Sequence, residues 1–131
     1  MPRRTAVLEQ CNLVGFIPTV DGDRARAFYV DKLKLQFISD DQFALVVRAN
    51  RNNIRIAKVD AYNPLPFTIL GWEVSDIEQT AKELSAAGVV FEKYPWVPDP
   101  SGIWTAPGGA KVAWFKDPDG NVLSISQHPP A

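Results

Sequence analysis

Two stretches of this chain run through the same order of elements, and that internal repeat restricts its fold more than any other feature. The first begins Ile17-Pro18-Thr19-Val20-Asp21, continues through a helix with Phe28-Tyr29, and closes with Asn52-Asn53-Ile54-Arg55-Ile56. The second begins Trp72-Glu73-Val74-Ser75-Asp76, continues through another helix, and closes with Asp117-Pro118-Asp119-Gly120-Asn121-Val122-Leu123-Ser124-Ile125. Each reads as β-α-β-β-β, which predicts an α+β fold made of two like modules over 12–60 and 66–128. A chain of 131 residues fits one compact domain, here 1–131, with a core large enough to need no staple.

The local signals support that order. Apolar Leu13 to Val20 predicts a strand, and Asp21-Gly22-Asp23 supplies helix-start chemistry. Ala25, Phe28, Tyr29 and Leu33 then share a helical face, predicting a helix near 23–33. Strands follow near 35–39, 42–48 and 53–59, separated by polar turns at Asp40-Asp41 and Asn50–Asn53. Pro64 and Pro66 break the chain at its middle. The second module predicts a strand near 67–74 and a helix near 76–87, opened by a Ser75/Glu78 capping box and closed at Gly88. Strands are expected near 89–94, 110–115 and 121–127. Pro95 to Gly109 reads as a long insertion holding four of the eleven prolines, and a loop that long in a small domain is usually functional or mobile.

Composition narrows the function classes. The net charge of -1 leaves no basic footprint for nucleic acid or anionic membrane. No run approaches the roughly 18 apolar residues of a membrane span, and no apolar stretch follows the basic N-terminus as in a signal peptide. The single cysteine, Cys11, excludes an intrachain disulfide and fits a reducing compartment. A soluble cytoplasmic protein is therefore expected.

Two segments carry a family resemblance. Ala27-Phe28-Tyr29-Val30-Asp31-Lys32-Leu33 is similar to a helix end of the form a-F-Y-x-d-x-L-G, with Lys34 in place of the glycine. Phe115-Lys116-Asp117-Pro118-Asp119-Gly120-Asn121 matches the pattern f-x-D-P-D-G-N throughout. Both, in order and with the repeat between them, resemble the vicinal oxygen chelate superfamily of glyoxalase I, extradiol dioxygenases, and fosfomycin- and bleomycin-resistance proteins. The resemblance implies eight strands curled into a cup, and a homodimer. The turn carboxylates read as structural, because short aspartates in turns usually bond their own backbone.

The same resemblance implies four metal-ligand positions, and none holds a ligand here. The last falls on Ser124. The first falls on Val14 or Gly15, and its counterpart in the second module is Ile69. Laying Asn52–Ala57 over Asn121–Ser126 puts Arg55, a permanent cation, in the remaining position. No metal and no other cofactor is expected. Glu73 and His128 lie on the same alternation as Ile69 and Ser124; Glu73 reads as an exposed or salt-bridged strand residue and His128 as a solvated end.

The expected function is binding of a small organic ligand, anionic or aromatic, in a metal-free cup like that of the bleomycin-resistance branch. The alternative is a glyoxalase-like lyase or dioxygenase working through a non-standard or metal-independent site. A protein-interaction domain is a third reading. The expected ligand-binding residues are Arg55, Trp104, Ser124, Ser126, Glu73 and Phe16. Arg55 has two sets of partners open to it: an internal carboxylate from Glu73, Asp40 or Asp41, or a ligand anion. Trp72 and Trp114, on strands, read as core, and Trp96 and Trp104 as a pocket rim.

Overall fold

The computed structural model describes residues 7–130. The first module comprises β1 (Val14–Thr19), α1 (Gly22–Arg26), β2 (Gln36–Asp40), β3 (Ala44–Ala49) and β4 (Asn52–Lys58). The second comprises β5 (Thr68–Glu73), α2 (Ile77–Ala86), β6 (Trp104–Thr105), β7 (Lys111–Lys116) and β8 (Val122–Gln127). The eight strands divide into two mixed sheets ordered β1-β4-β3-β2 and β5-β8-β7-β6. In each, the first strand runs parallel to the last and the remaining pairs are antiparallel. The repeat in the sequence is thus a repeat of topology. Among the described residues no helix is long and apolar enough to cross a membrane.

Helix starts follow side-chain capping. Asp21 accepts the Arg24 amide at 3.1 Å, as its position before an apolar face predicts. Past Arg26 the helix widens into a π-helical stretch over Ala27–Lys32, where the Leu33 amide reaches back to the Phe28 carbonyl at 2.9 Å. Lys34, at the family's glycine position, has a left-handed φ of 62°, a conformation that costs a side-chain-bearing residue about 1 kcal/mol. In α2 the cap is Asp76, which accepts the Gln79 amide at 3.1 Å, and not the expected Ser75. Glu78 is drawn away from a capping box by Lys111, 2.7 Å distant. The far end closes as expected at Gly88. Its amide donates to Ser85 O and the Val89 amide to Leu84 O, the two bonds of a Schellman motif.

The strand expected near 89–94 does not form. Only Phe91 bridges to Phe115, after which Pro95, with no amide to give to a ladder, leads the chain out of the sheet. The edge position is taken instead by Trp104–Thr105, inside the segment read as an insertion. Two residues are enough here because Trp104 and Thr105 pair directly with Val112 and Lys111.

Period-two alternation assigns the faces. Ile17, Leu45, Val47, Ile54 and Ile56 of one sheet, and Ala113, Phe115, Leu123 and Ile125 of the other, enter one common core with Phe28 and Tyr29. Both sheets therefore turn their helix-covered face inward, and their other faces look away from the core.

The Asp-Pro-Asp-Gly-Asn turn joins the modules. Buried Asp117 accepts from the Asp119 amide (2.9 Å), the Asn121 amide (2.9 Å) and Asn121 Nδ2 (2.9 Å), and from the Tyr29 hydroxyl of the other module at 2.6 Å. Asp119 accepts from Thr19 Oγ1 (2.6 Å) and the Val20 amide (2.9 Å). Asn121 Nδ2 also donates to Pro18 O at 3.2 Å. Gly120 takes a φ of 88°, and a Cβ on it would approach Pro64 Cγ to 3.0 Å.

Burial, then the Asp117 carboxylate, push the Tyr29 hydroxyl far above the ordinary tyrosine range. Unfolded tyrosine titrates near pH 10. The native hydroxyl keeps its proton when the unfolded one loses it, so this contribution is intact below about pH 10 and is lost above it, at up to ~1.4 kcal/mol per pH unit. Urea unfolding between pH 9 and 11.5 is expected to show that slope in the wild type and a flatter one in Tyr29→Phe. Equal slopes would refute it.

Candidate functional site

The outward face of the first sheet centres on Arg55. Its neighbours across the ladder are Phe16 on β1 and Val46 on β3. Since Ile54 and Ile56 enter the core, Arg55 points the other way, half-buried. None of the three internal carboxylates pairs with it. Asp40 is held by Lys58 (2.6 Å) and Arg26 (3.4 Å). Asp41 accepts the Phe43 (2.8 Å) and Ala44 (3.0 Å) amides. Those amides hold its carboxyl below the usual range, with Arg55 and Lys58 adding to the effect. Glu73 stands on the other sheet.

Ser124, Ser126, Glu73 and Trp104 share the outward face of the second sheet. Ser124 lies between Gly71 and Trp114, and Ser126 between Glu73 and Val112. A Cβ at Gly71 would come within 2.5 Å of Ser124 Oγ, so the glycine makes room for that hydroxyl. Ser126 Oγ and His128 Nε2 are 3.1 Å apart. Trp104 stands opposite Val112. Among the described residues no hydrogen bond or ring contact joins this group to Phe16 or Arg55, so the predicted site divides between two sheets.

Trp72 stacks on Phe115 against the core, at a centroid distance of 6.3 Å. Trp114, also expected in the core, is not there: its neighbours Ala113 and Phe115 are, so alternation turns it outward. It joins a cluster with Tyr94 (5.6 Å), Trp96 (5.4 Å) and Trp104 (6.2 Å). Tyr94 stacks on Trp96 at 5.2 Å, and burial, then Glu92, raise the pKa of its hydroxyl. Edge-to-face and stacked rings at these spacings hold one another in place and leave a wide aromatic surface, of which Trp96 is 56% exposed.

A family model described as the Glyoxalase/Bleomycin resistance protein/Dioxygenase superfamily matches residues 8–125. The chain belongs to this superfamily. Solved structures of superfamily proteins share the fold. A superfamily member from Sphaerobacter thermophilus DSM 20745 has 22% identity and a TM-score of 0.73, covering 93% of this chain and 100% of that one. A putative glyoxalase family protein from Bacillus anthracis has 18% identity and a TM-score of 0.72, covering 97% and 100%. Lactoylglutathione lyase from Agrobacterium tumefaciens has 15% identity and a TM-score of 0.70, covering 90% and 93%. At such identities the likeness is one of fold. No curated protein sequence matches the chain.

The metal that many members of the superfamily use does not fit the residues present. Of the four positions, Val14 or Gly15 and Ile69 offer no side-chain donor, Ser124 a neutral hydroxyl, and Arg55 a fixed positive charge. Ile69 also lies at a β-bulge and packs against the core. Among the described residues no three of His, Cys, Asp and Glu converge.

Sequence reasoning passed over Arg48 and Asn53. Arg48 faces Asn53 across the β3–β4 ladder, and its Nε donates to Asn53 Oδ1 at 2.7 Å. Both lie on the Arg55 face, two residues along their strands. The period-two alternation from Val46 to Arg48 carried that signal. A larger cleft of about 680 Å³, between α2 and the chain from Val89 to Ile103, contains none of the predicted site residues.

Proposed function

We propose that the protein is a metal-independent, cytoplasmic binder of small organic anions, with Arg55 gripping the anionic group. The observation that carries this reading is the guanidinium of Arg55, half-buried on an outward sheet face with no ion pair or hydrogen bond among the described residues. A partly desolvated cation is costly without a counter-charge, and a planar guanidinium matches a carboxylate or phosphate with two parallel bonds. The aromatic surface around Trp104 supplies an apolar wall, with the neutral hydroxyls of Ser124 and Ser126 and the carboxylate of Glu73 on the same sheet face.

We also propose that the binding unit is a homodimer. β1 is an edge strand; Val14 and Phe16 on it are 51% and 68% exposed, and Val20 just past its end is 50% exposed. A second copy covering this stripe would wall in Phe16 and Arg55. Sedimentation at micromolar concentration should show a dimer, and Phe16→Glu should dissociate it. A wild-type monomer would refute the assembly.

The ligand reading is tested by thermal shift and calorimetry with a panel of aromatic carboxylates such as benzoate and salicylate, since a ligand that prefers the native state raises its stability by mass action. Arg55→Met should weaken the best ligand about ten- to a hundredfold, the weight of a charge-assisted bond, with an unchanged circular dichroism spectrum. Undiminished binding in that variant would remove Arg55 from the site.

A further inference from the structure

We propose a second anion site at the β3–β4 turn, built by Arg48 and Arg51 and suited to a phosphoryl dianion. A cavity of about 260 Å³ opens there, lined by Asn12, Val14, Arg48, Asn50, Arg51 and Asn53 among others. Two arginines and three asparagines line it, and among the described residues no aspartate or glutamate does. Three stretches of chain fix its walls. The Asn53 amide donates to Leu13 O at 3.2 Å, which ties the start of β1 to β4. The hairpin ladder sets Arg48 against Asn53 and Ala49 against Asn52. Asn50 turns the chain at a φ of 56°, a conformation asparagine tolerates better than most residues.

The bond from Arg48 Nε to Asn53 Oδ1 orients the guanidinium and leaves its two terminal NH2 groups to donate elsewhere. Arg51 has no ion pair among the described residues. Two such cations around one small cavity repel each other until an anion stands between them. Two positive charges match a phosphate monoester or phosphonate better than a carboxylate, and the arginine fork suits tetrahedral oxyanions. The amides of Asn12, Asn50 and Asn53 add neutral donors. Leu13, which also lines the cavity and is 72% exposed, offers apolar surface to the organic part of an ester. The site stands apart from Arg55, which is not among the residues lining this cavity, and does not depend on the function proposed above.

Calorimetry on the full chain with inorganic phosphate and with phenyl phosphate tests it. Wild type should bind at least one of them, and Arg48→Met and Arg51→Met should each weaken it about ten- to a hundredfold. Arg48→Lys should restore part of the loss, and circular dichroism should show all variants folded. Affinity for phenyl phosphate should fall as pH drops below about 6, where the monoester dianion takes up a proton and becomes a monoanion. Tighter binding of phenyl phosphate identifies an organic ester as the occupant, and equal binding identifies free phosphate; both support the site. No binding of either probe at millimolar concentration, or undiminished binding in Arg48→Met and Arg51→Met, overturns it. Loss of phosphate binding in Arg55→Met alone also overturns it, while leaving the Arg55 reading in place.

Discussion

Asp117→Ala is expected to destabilise the protein by about 3–5 kcal/mol, because it strands several buried donors at once. The carboxylate is 5% exposed and takes bonds from the Tyr29 hydroxyl, two turn amides and the Asn121 side chain. Alanine leaves those donors without an acceptor in a space that offers little else. It also loosens the contact between the modules, since Tyr29 belongs to one and Asp117 to the other. The melting temperature should drop by about 10–20 °C, given ~3–5 °C per kcal/mol for a domain of this size. Asp119→Ala removes two bonds nearer the surface and should cost about 1–2 kcal/mol. Urea denaturation of both variants measures the difference. An Asp117→Ala protein within about 1 kcal/mol of wild type would mean that the turn is a local feature and not a clamp.

Phe115→Ala should cost about 3–5 kcal/mol, the usual range for emptying a large aromatic site. Phe115 is 1% exposed, with Phe28 (6.3 Å), Trp72 (6.3 Å) and Phe91 (5.6 Å) around it. These neighbours come from both modules and from the irregular segment before Pro95, so the cavity cannot close by a shift of one element. Trp114→Ala, one residue away, is a sharp contrast. Its ring lies on the outward face among other aromatics, and its loss should cost only about 1–2 kcal/mol of buried area while stripping the surface proposed to carry the ligand. Equal destabilisation by the two substitutions would contradict the assignment of faces.

The order of elements was legible in the chain itself, because it rests on local physics. Apolar spacing marked both helices, Asp21 and Gly88 marked a start and a stop, and Asp117–Asn121 marked a turn whose residues admit few other conformations. The same spacing put Arg55 in register with Ser124, and the positions that the family resemblance assigns to metal ligands hold no imidazole or carboxylate. Contacts between distant segments decided the rest. Ser75 and Asp76 are both good caps, and Lys111, arriving from another strand, engages Glu78 and leaves Asp76 to cap. Residues 89–94 have a strand-like composition, yet Phe91 alone bridges to β7, and the edge beyond it is paired by Trp104–Thr105. Trp114 is as apolar as Trp72, and the registers of β7 and β5 against β8 turn the first outward beside Ser124 and the second inward beside Ile125. The pairing of Arg48 with Asn53, and the meeting of Arg48 and Arg51 around one cavity, likewise came from strand register, which a sequence read one segment at a time does not contain.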